Sequence, residues 1–279
     1  MLITGGIFWW WTARKKDRPP EEFKLLRGPG ETQRRRVYQA DENLSVYIFG
    51  GAFIPLVIAC LLLLMAIHLP KRFVLLGATI AAVLFIASTG CAMIALLQFL
   101  NRRRNDLLGY LGERAVAEFL EPLREKGFRI FHDVPCEGRK TKFNIDHVAV
   151  GPNGVAAIEV KTRRKKKGRE GYEEHVVVCD GHQLIWPWGE DRCGFDQVVA
   201  QADWLREFIH KRTGLRIDPK PILAFPGWFV KENSIGAFRV ASHKIVPSIV
   251  TQWRPQPLSP EQVDLISRQL DERCRDVED

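Results

Sequence analysis

The chain has 279 residues, 41 Lys and Arg against 33 Asp and Glu, and a formal net charge of +8. Its 46% hydrophobic content looks ordinary, but residues 44–69 and 73–100 contain no Asp, Glu, Lys or Arg. Two such runs exclude a purely soluble protein, and the composition excludes a disordered or collagen-like one.

Residues 1–43 read as a basic N-terminal segment. The start carries Trp9, Trp10 and Trp11 and is soon followed by Arg14, Lys15 and Lys16. That pattern predicts an interfacial foot rather than a signal peptide. Residues 19–42 mix charges with Pro and Gly, which predicts a loosely ordered stretch.

Residues 44–100 read as a transmembrane helical hairpin in contact with membrane lipid, since about 20 apolar residues cross a bilayer core. Leu69, Pro70, Lys71 and Arg72 form the turn. Small residues at four-residue spacing (Gly77 and Ala81; Ala87, Cys91 and Ala95) are the expected packing stripe. Nine Lys and Arg precede the first run and Arg102, Arg103 and Arg104 follow the second, while the turn carries two. The positive-inside bias then predicts a multi-pass protein of the cell (inner) membrane with both termini and the C-terminal part in the cytoplasm. Neither run contains an Asp, Glu, Lys or Arg, so the hairpin reads as an anchor rather than a transporter. The six cysteines show no CxxC pair and fit a reducing compartment.

Residues 101–279 are long enough for a core of their own. Residues 106–126 show helical spacing, with Leu108, Leu111, Ala115, Phe119 and Leu123 on one face. Glu113 lies at the edge of that stripe, and Gly109 and Gly112 leave room for another element to approach. A merely solvated Glu is the alternative. Strand-type runs follow at 128–134, 143–150 and 155–161, the last two joined by a turn signal at Gly151, Pro152, Asn153 and Gly154.

With a two-residue loop at Pro152 and Asn153, Asp146 faces Glu159, and Lys161 projects from the same side. Like charges opposed among Ile145, Val148, Val155 and Ile158 destabilise a strand pair unless something neutralises them. A divalent cation with hard oxygen ligands, Mg²⁺ or Mn²⁺, would do so, activating water and neutralising a phosphate. Neutralisation by Lys161 alone is the alternative. His147 alternates to the opposite face and is expected to be packed.

Seven basic residues lie between Lys161 and Arg169, among them Arg163, Arg164, Lys165, Lys166 and Lys167. Such density predicts phosphate contacts with DNA or RNA; a solvated loop or a contact with anionic lipid headgroups is the alternative. Further on, a hairpin is expected around Asp180 and Gly181, a helix at 196–211, a strand at 221–225 and more strand at 238–246. A last helix starts at Ser259, Pro260, Glu261 and Gln262, a capping box with Pro at the first position. The order of elements predicts an α/β fold with a mixed sheet.

Gly112 and Glu113 on a helix, Ile145, Asp146 and His147 on a strand, and Gly154 and Val155 leading to Ile158, Glu159, Val160 and Lys161 resemble the NERD (nuclease-related) domain. That domain is part of the PD-(D/E)xK restriction-endonuclease-like superfamily. The resemblance covers roughly residues 108–225. It implies a restriction-endonuclease-like mixed sheet flanked by helices, here preceded by the two-helix transmembrane hairpin. It further implies a catalytic set of Glu113, Asp146, Glu159 and Lys161, with Asp146, Glu159 and the carbonyl of Val160 holding Mg²⁺ or Mn²⁺. Gln197 and Gln201 are suggested by the same resemblance as helpers that bind nucleic acid or order Lys161. The expected function is a membrane-anchored, cytoplasm-facing, metal-dependent nuclease. The competing expectation is a non-catalytic, membrane-tethered nucleic-acid-binding or scaffold module with a degenerate nuclease fold.

Overall fold

The computed structural model describes residues 23–68, 70–137, 142–252 and 256–278. The Trp-rich start lies outside them.

Strand β1 (Phe23–Leu26) leads into helix α1 (Glu31–Ile67), which runs antiparallel to α2 (Lys71–Leu120). Pro70 stands at the start of α2 with extended ψ, where a ring that cannot continue α1 can open the next helix. Both helices are long and apolar enough to cross a membrane, and their apolar side chains are mostly exposed. At the end of the hairpin away from its turn the pair is locked by Tyr47 stacked on Phe99 at 4.2 Å, inside the apolar runs, and by Asp41 paired with Arg103 at 2.5 Å just outside them.

Two expectations are corrected here. The stretch before the first apolar run is not loose from residue 23 onward: it forms β1 and the first turns of α1, thirteen residues ahead of Leu44. Glu31 accepts from Arg34 and Arg35, and this charge pairing on the first turn supports helix where composition suggested none. The packing stripe of α2 also differs. Ala81 is buried and Gly77 half-buried, but Ala87 and Cys91 are exposed, and Ser88 and Ala92 face α1 instead. A strict four-residue step drifts off the contact line of a helix with 3.6 residues per turn.

The expected helix at 106–126 is the C-terminal end of α2, followed by a 3₁₀ turn at Glu121–Lys126. The apolar run and the domain helix are therefore one rod of about 75 Å. Next come β2 (Arg129–Glu137), β3 (Lys142–Gly151) and β4 (Gly154–Val160), then β5 (Val176–Cys179), β6 (Leu184–Trp186) and β7 (Gly189–Asp191). Helix α3 (Phe195–Thr213), β8 (Lys220–Ala224), β9 (Phe229–Glu232), β10 (Arg239–Ala241), α4 (Val246–Gln252), α5 (Pro260–Arg273) and β11 (Arg275–Glu278) complete the order. Residues 238–246 thus supply only the short β10, and Val246 opens a helix. The capping box at Ser259 and Gln262 forms as expected.

The main sheet has strand order β10-β8-β4-β3-β2, with β10, β8 and β4 parallel and β3 and β2 antiparallel to their neighbours. One face packs under α3 and α5 through residues such as Val148, Ala157, Leu205, Ile266 and Leu270. The other packs under the end of α2 and under α4 through Val116, Leu120, Ile158, Ile222 and Ile249. A second sheet, β7-β6-β5-β9, has its own core around Trp186, Phe225 and Trp228. β1 pairs with β11, joining the two ends of the described chain.

Candidate active site

Val150 pairs with Val155 and Gly151 with Gly154, so the β3–β4 connection is the two-residue loop Pro152 and Asn153. This register carries Asp146 to the position opposite Glu159. The regular ladder stops one pair earlier, at His147 and Ile158. Beyond it the Asp146 carboxylate takes the place of the backbone partner: its Oδ2 accepts from the Val160 amide at 2.6 Å.

Glu159 is 2% exposed. Its Oε1 lies 2.5 Å from Lys161 Nζ, and its Oε2 accepts from Gln201 Nε2 at 2.5 Å. Lys161 Nζ also donates to Gln197 Oε1 at 2.8 Å. Gln197 and Gln201, four residues apart on α3, therefore hold Lys161 and Glu159 respectively. Gln201 is completely buried, so its expected contact with nucleic acid is corrected: it positions a carboxylate and meets no solvent. Gln197 is exposed and lines the cavity.

Glu113 enters from the other side. A Cβ on Gly112 would collide with Thr162 Cγ2 and stand 3.2 Å from Pro226 Cγ, so the absent side chain lets α2 close on the end of β4. Glu113 is 2% exposed, and its Oε2 has no hydrogen-bond partner. Burial, reinforced by the charges of Asp133 and Glu159, pushes its carboxyl up to about 8, against the opposing pull of Lys161 and of the Gly30 backbone. Burial likewise drives Asp146 well upward, with Glu159 and Glu113 adding to the effect. Lys161 shows the complement: burial opposes its charge, but the adjoining Glu159 outweighs this and raises it.

These groups line a cavity of about 500 Å³ whose walls also include Thr32, Gln33, Arg36, Asp133 and Asn144. Sequence reasoning missed that second group. Asp133 is 1% exposed, has a left-handed φ of 48°, and occupies the β2 position across from Asp146. Arg27 pairs with it at 2.5 Å, Thr32 donates to it from both its amide and hydroxyl at 2.8 Å, and Asn144 Nδ2 donates at 2.7 Å. A lone Asp between Phe131 and Val134 was the signal that β2 carried more than core. His147 is fully buried, as alternation predicted, and its Nδ1 lies 2.9 Å from Nδ1 of His132.

The basic loop is exposed from Arg164 to Lys167, and several of its side chains are tethered. Arg163 pairs with Asp191 at 2.9 Å, Arg164 donates to the carbonyl of Arg104 on α2 at 3.1 Å, and Lys165 and Lys166 lie over Trp228 and Trp188. Lys167 is exposed.

Among the described residues no three His, Cys, Asp or Glu side chains gather closely enough to cage a metal ion. The donor chemistry nevertheless suits a hard divalent cation: Asp146 and Glu159 share one end of the hairpin, and Glu113 presents an unpartnered buried oxygen to the same cavity.

A mixed sheet flanked by helices, with an Asp on one strand and Glu-x-Lys ending the next, is a nuclease-like arrangement. Residues 108–226 match the family model of the nuclease-related domain, NERD. No curated protein and no solved structure matches the chain.

Proposed function

We propose that this protein is a membrane-anchored, cytoplasm-facing, metal-dependent nuclease that hydrolyses phosphodiester bonds in DNA or RNA. The observation that carries this reading is the cluster of Asp146, Glu159 and Lys161 at one strand end, with the orphaned Glu113 oxygen in the same cavity. Asp146, Glu159 and the carbonyl of Val160 would hold Mg²⁺ or Mn²⁺. Such an ion would supply charge neutralisation at the phosphate and lower the pKa of a water so that, on losing a proton, it becomes the attacking hydroxide. Lys161, tethered by Gln197 and adjoining Glu159, would steady negative charge on the phosphate. Gln201 fixes the other Glu159 oxygen so that the carboxylate has one orientation. Arg163, Arg164, Lys165, Lys166 and Lys167 border the site and attract a polyanion. The hairpin would sit in the cell (inner) membrane with both termini in the cytoplasm, as the Lys and Arg distribution favours.

The test uses the full chain in detergent or nanodiscs, with labelled DNA and RNA and with Mg²⁺, Mn²⁺ or EDTA. Cleavage should need the metal, and Asp146→Asn, Glu159→Gln and Lys161→Ala should each lower the rate roughly 100-fold or more. Equal rates in wild type and all three variants would end this reading. A second reading, a non-catalytic binding module, is favoured by one observation: both Glu159 oxygens are already engaged by Lys161 and Gln201. It predicts binding with no metal-dependent cleavage on any substrate.

A further inference from the structure

The wall of the cavity contributed by α1 has no part in the machinery above. Thr32, Gln33 and Arg36 come from the element that enters the membrane, yet they face the same space as Glu113, Asp146, Glu159 and Lys161. The approach is close and built in. A Cβ on Gly109 of α2 would stand 3.3 Å from Gln33 Cγ, and one on Gly30 would collide with the Tyr110 ring. Arg34 and Arg35, the two neighbours of Arg36, are held by Glu31 at 2.8 and 2.7 Å. Arg36 has no ion pair or hydrogen bond with any described residue, although it lines a cavity rich in carboxylates. Gln33 Oε1 is buried without a partner. Its amide, turned over, would present an NH₂ group to an anion.

An unpaired guanidinium and an unsatisfied amide at the edge of an acidic pocket are what a bound phosphate needs. The carboxylates alone repel a polyanion, and a planar guanidinium can bridge two phosphate oxygens at once. We propose that Arg36, assisted by Gln33, is a phosphate subsite for the nucleic-acid backbone, so that the first membrane helix supplies part of the substrate-binding surface. The inference rests on the nuclease reading for its substrate, but it concerns binding and can be separated from cleavage.

The experiment measures binding of a fluorescein-labelled oligonucleotide to the full chain in nanodiscs, in EDTA so that no cutting intervenes. Arg36→Met should weaken binding roughly 10- to 100-fold, Arg36→Lys should restore part of it, and Gln33→Leu should show a smaller loss. The slope of log affinity against log salt should fall by about one phosphate contact. Arg268→Met, which removes the same charge from exposed α5, is the control and should change little. If Arg36→Met and Arg268→Met bind alike, the subsite is overturned, whether or not wild type cleaves with metal. If Arg36→Met binds weakly while wild type binds and never cleaves, the subsite stands and the catalytic reading falls.

Discussion

His132 illustrates what burial does to a single side chain in this fold. Desolvation, with the nearby Arg124 charge, lowers it to about 4, while an exposed histidine titrates near 6.5. Between those values the unfolded chain binds a proton that the folded chain refuses. Stability contributed by neutral His132 is therefore complete above about pH 6.5 and is lost as pH falls toward 4. The difference is on the order of 3 kcal/mol over that window. Thermal melts of wild type and His132→Gln from pH 4 to 7.5 should show a steeper acid-side loss in wild type; parallel curves would contradict it. The same burial explains why His147, bonded to His132 and fully enclosed, is packing rather than a base.

At the scale of elements, the hairpin from β3 to β4 was legible because strand alternation and a two-residue turn are local rules. They placed Asp146, Glu159 and Lys161 together without reference to the rest of the chain. Gly112 was legible only as a vacancy, since nothing in the local pattern says that Thr162 will fill it. The short strands β7 and β9 and helix α4 escaped notice because three to seven residues give too little periodicity, and pairing to distant partners decides them. The Asp133 partners were invisible for a stronger reason: Arg27 lies 106 residues away in sequence. The glycine contact is testable. Gly112→Val should overpack the junction of α2 with Thr162 and Pro226, lowering stability by about 1–3 kcal/mol. Because Thr162 adjoins Lys161, cleavage should fall as well. A melting temperature equal to wild type would show that the junction yields freely.

The whole molecule is not a soluble domain hung from an inert anchor. α2 runs without a break from its apolar run to Glu113, about 20 Å beyond Leu100 along the helix axis. From the other side, the residues at the start of α1 and just ahead of it cover Asp133, and β1 pairs with β11 at the C-terminal end. A fragment beginning at residue 101 would therefore lose Arg27 and Thr32, while Asp133 on the edge strand β2 keeps Asn144 and gains access to water. Stranding a charge that stays buried typically costs about 3–5 kcal/mol, and the exposure of Asp133 reduces that cost. Fragment 101–279 should accordingly melt below the same domain in the full chain. The origin of that loss can be isolated by neutralising the charge: Asp133→Asn should raise the stability of the fragment and lower that of the full chain, where Arg27 would be stranded instead. Opposite signs in the two contexts would identify the Arg27–Asp133 pairing as the tie between the N-terminal segment leading into α1 and the nuclease-related domain. The same sign in both would mean that the domain holds itself together and the N-terminal segment merely lies against it.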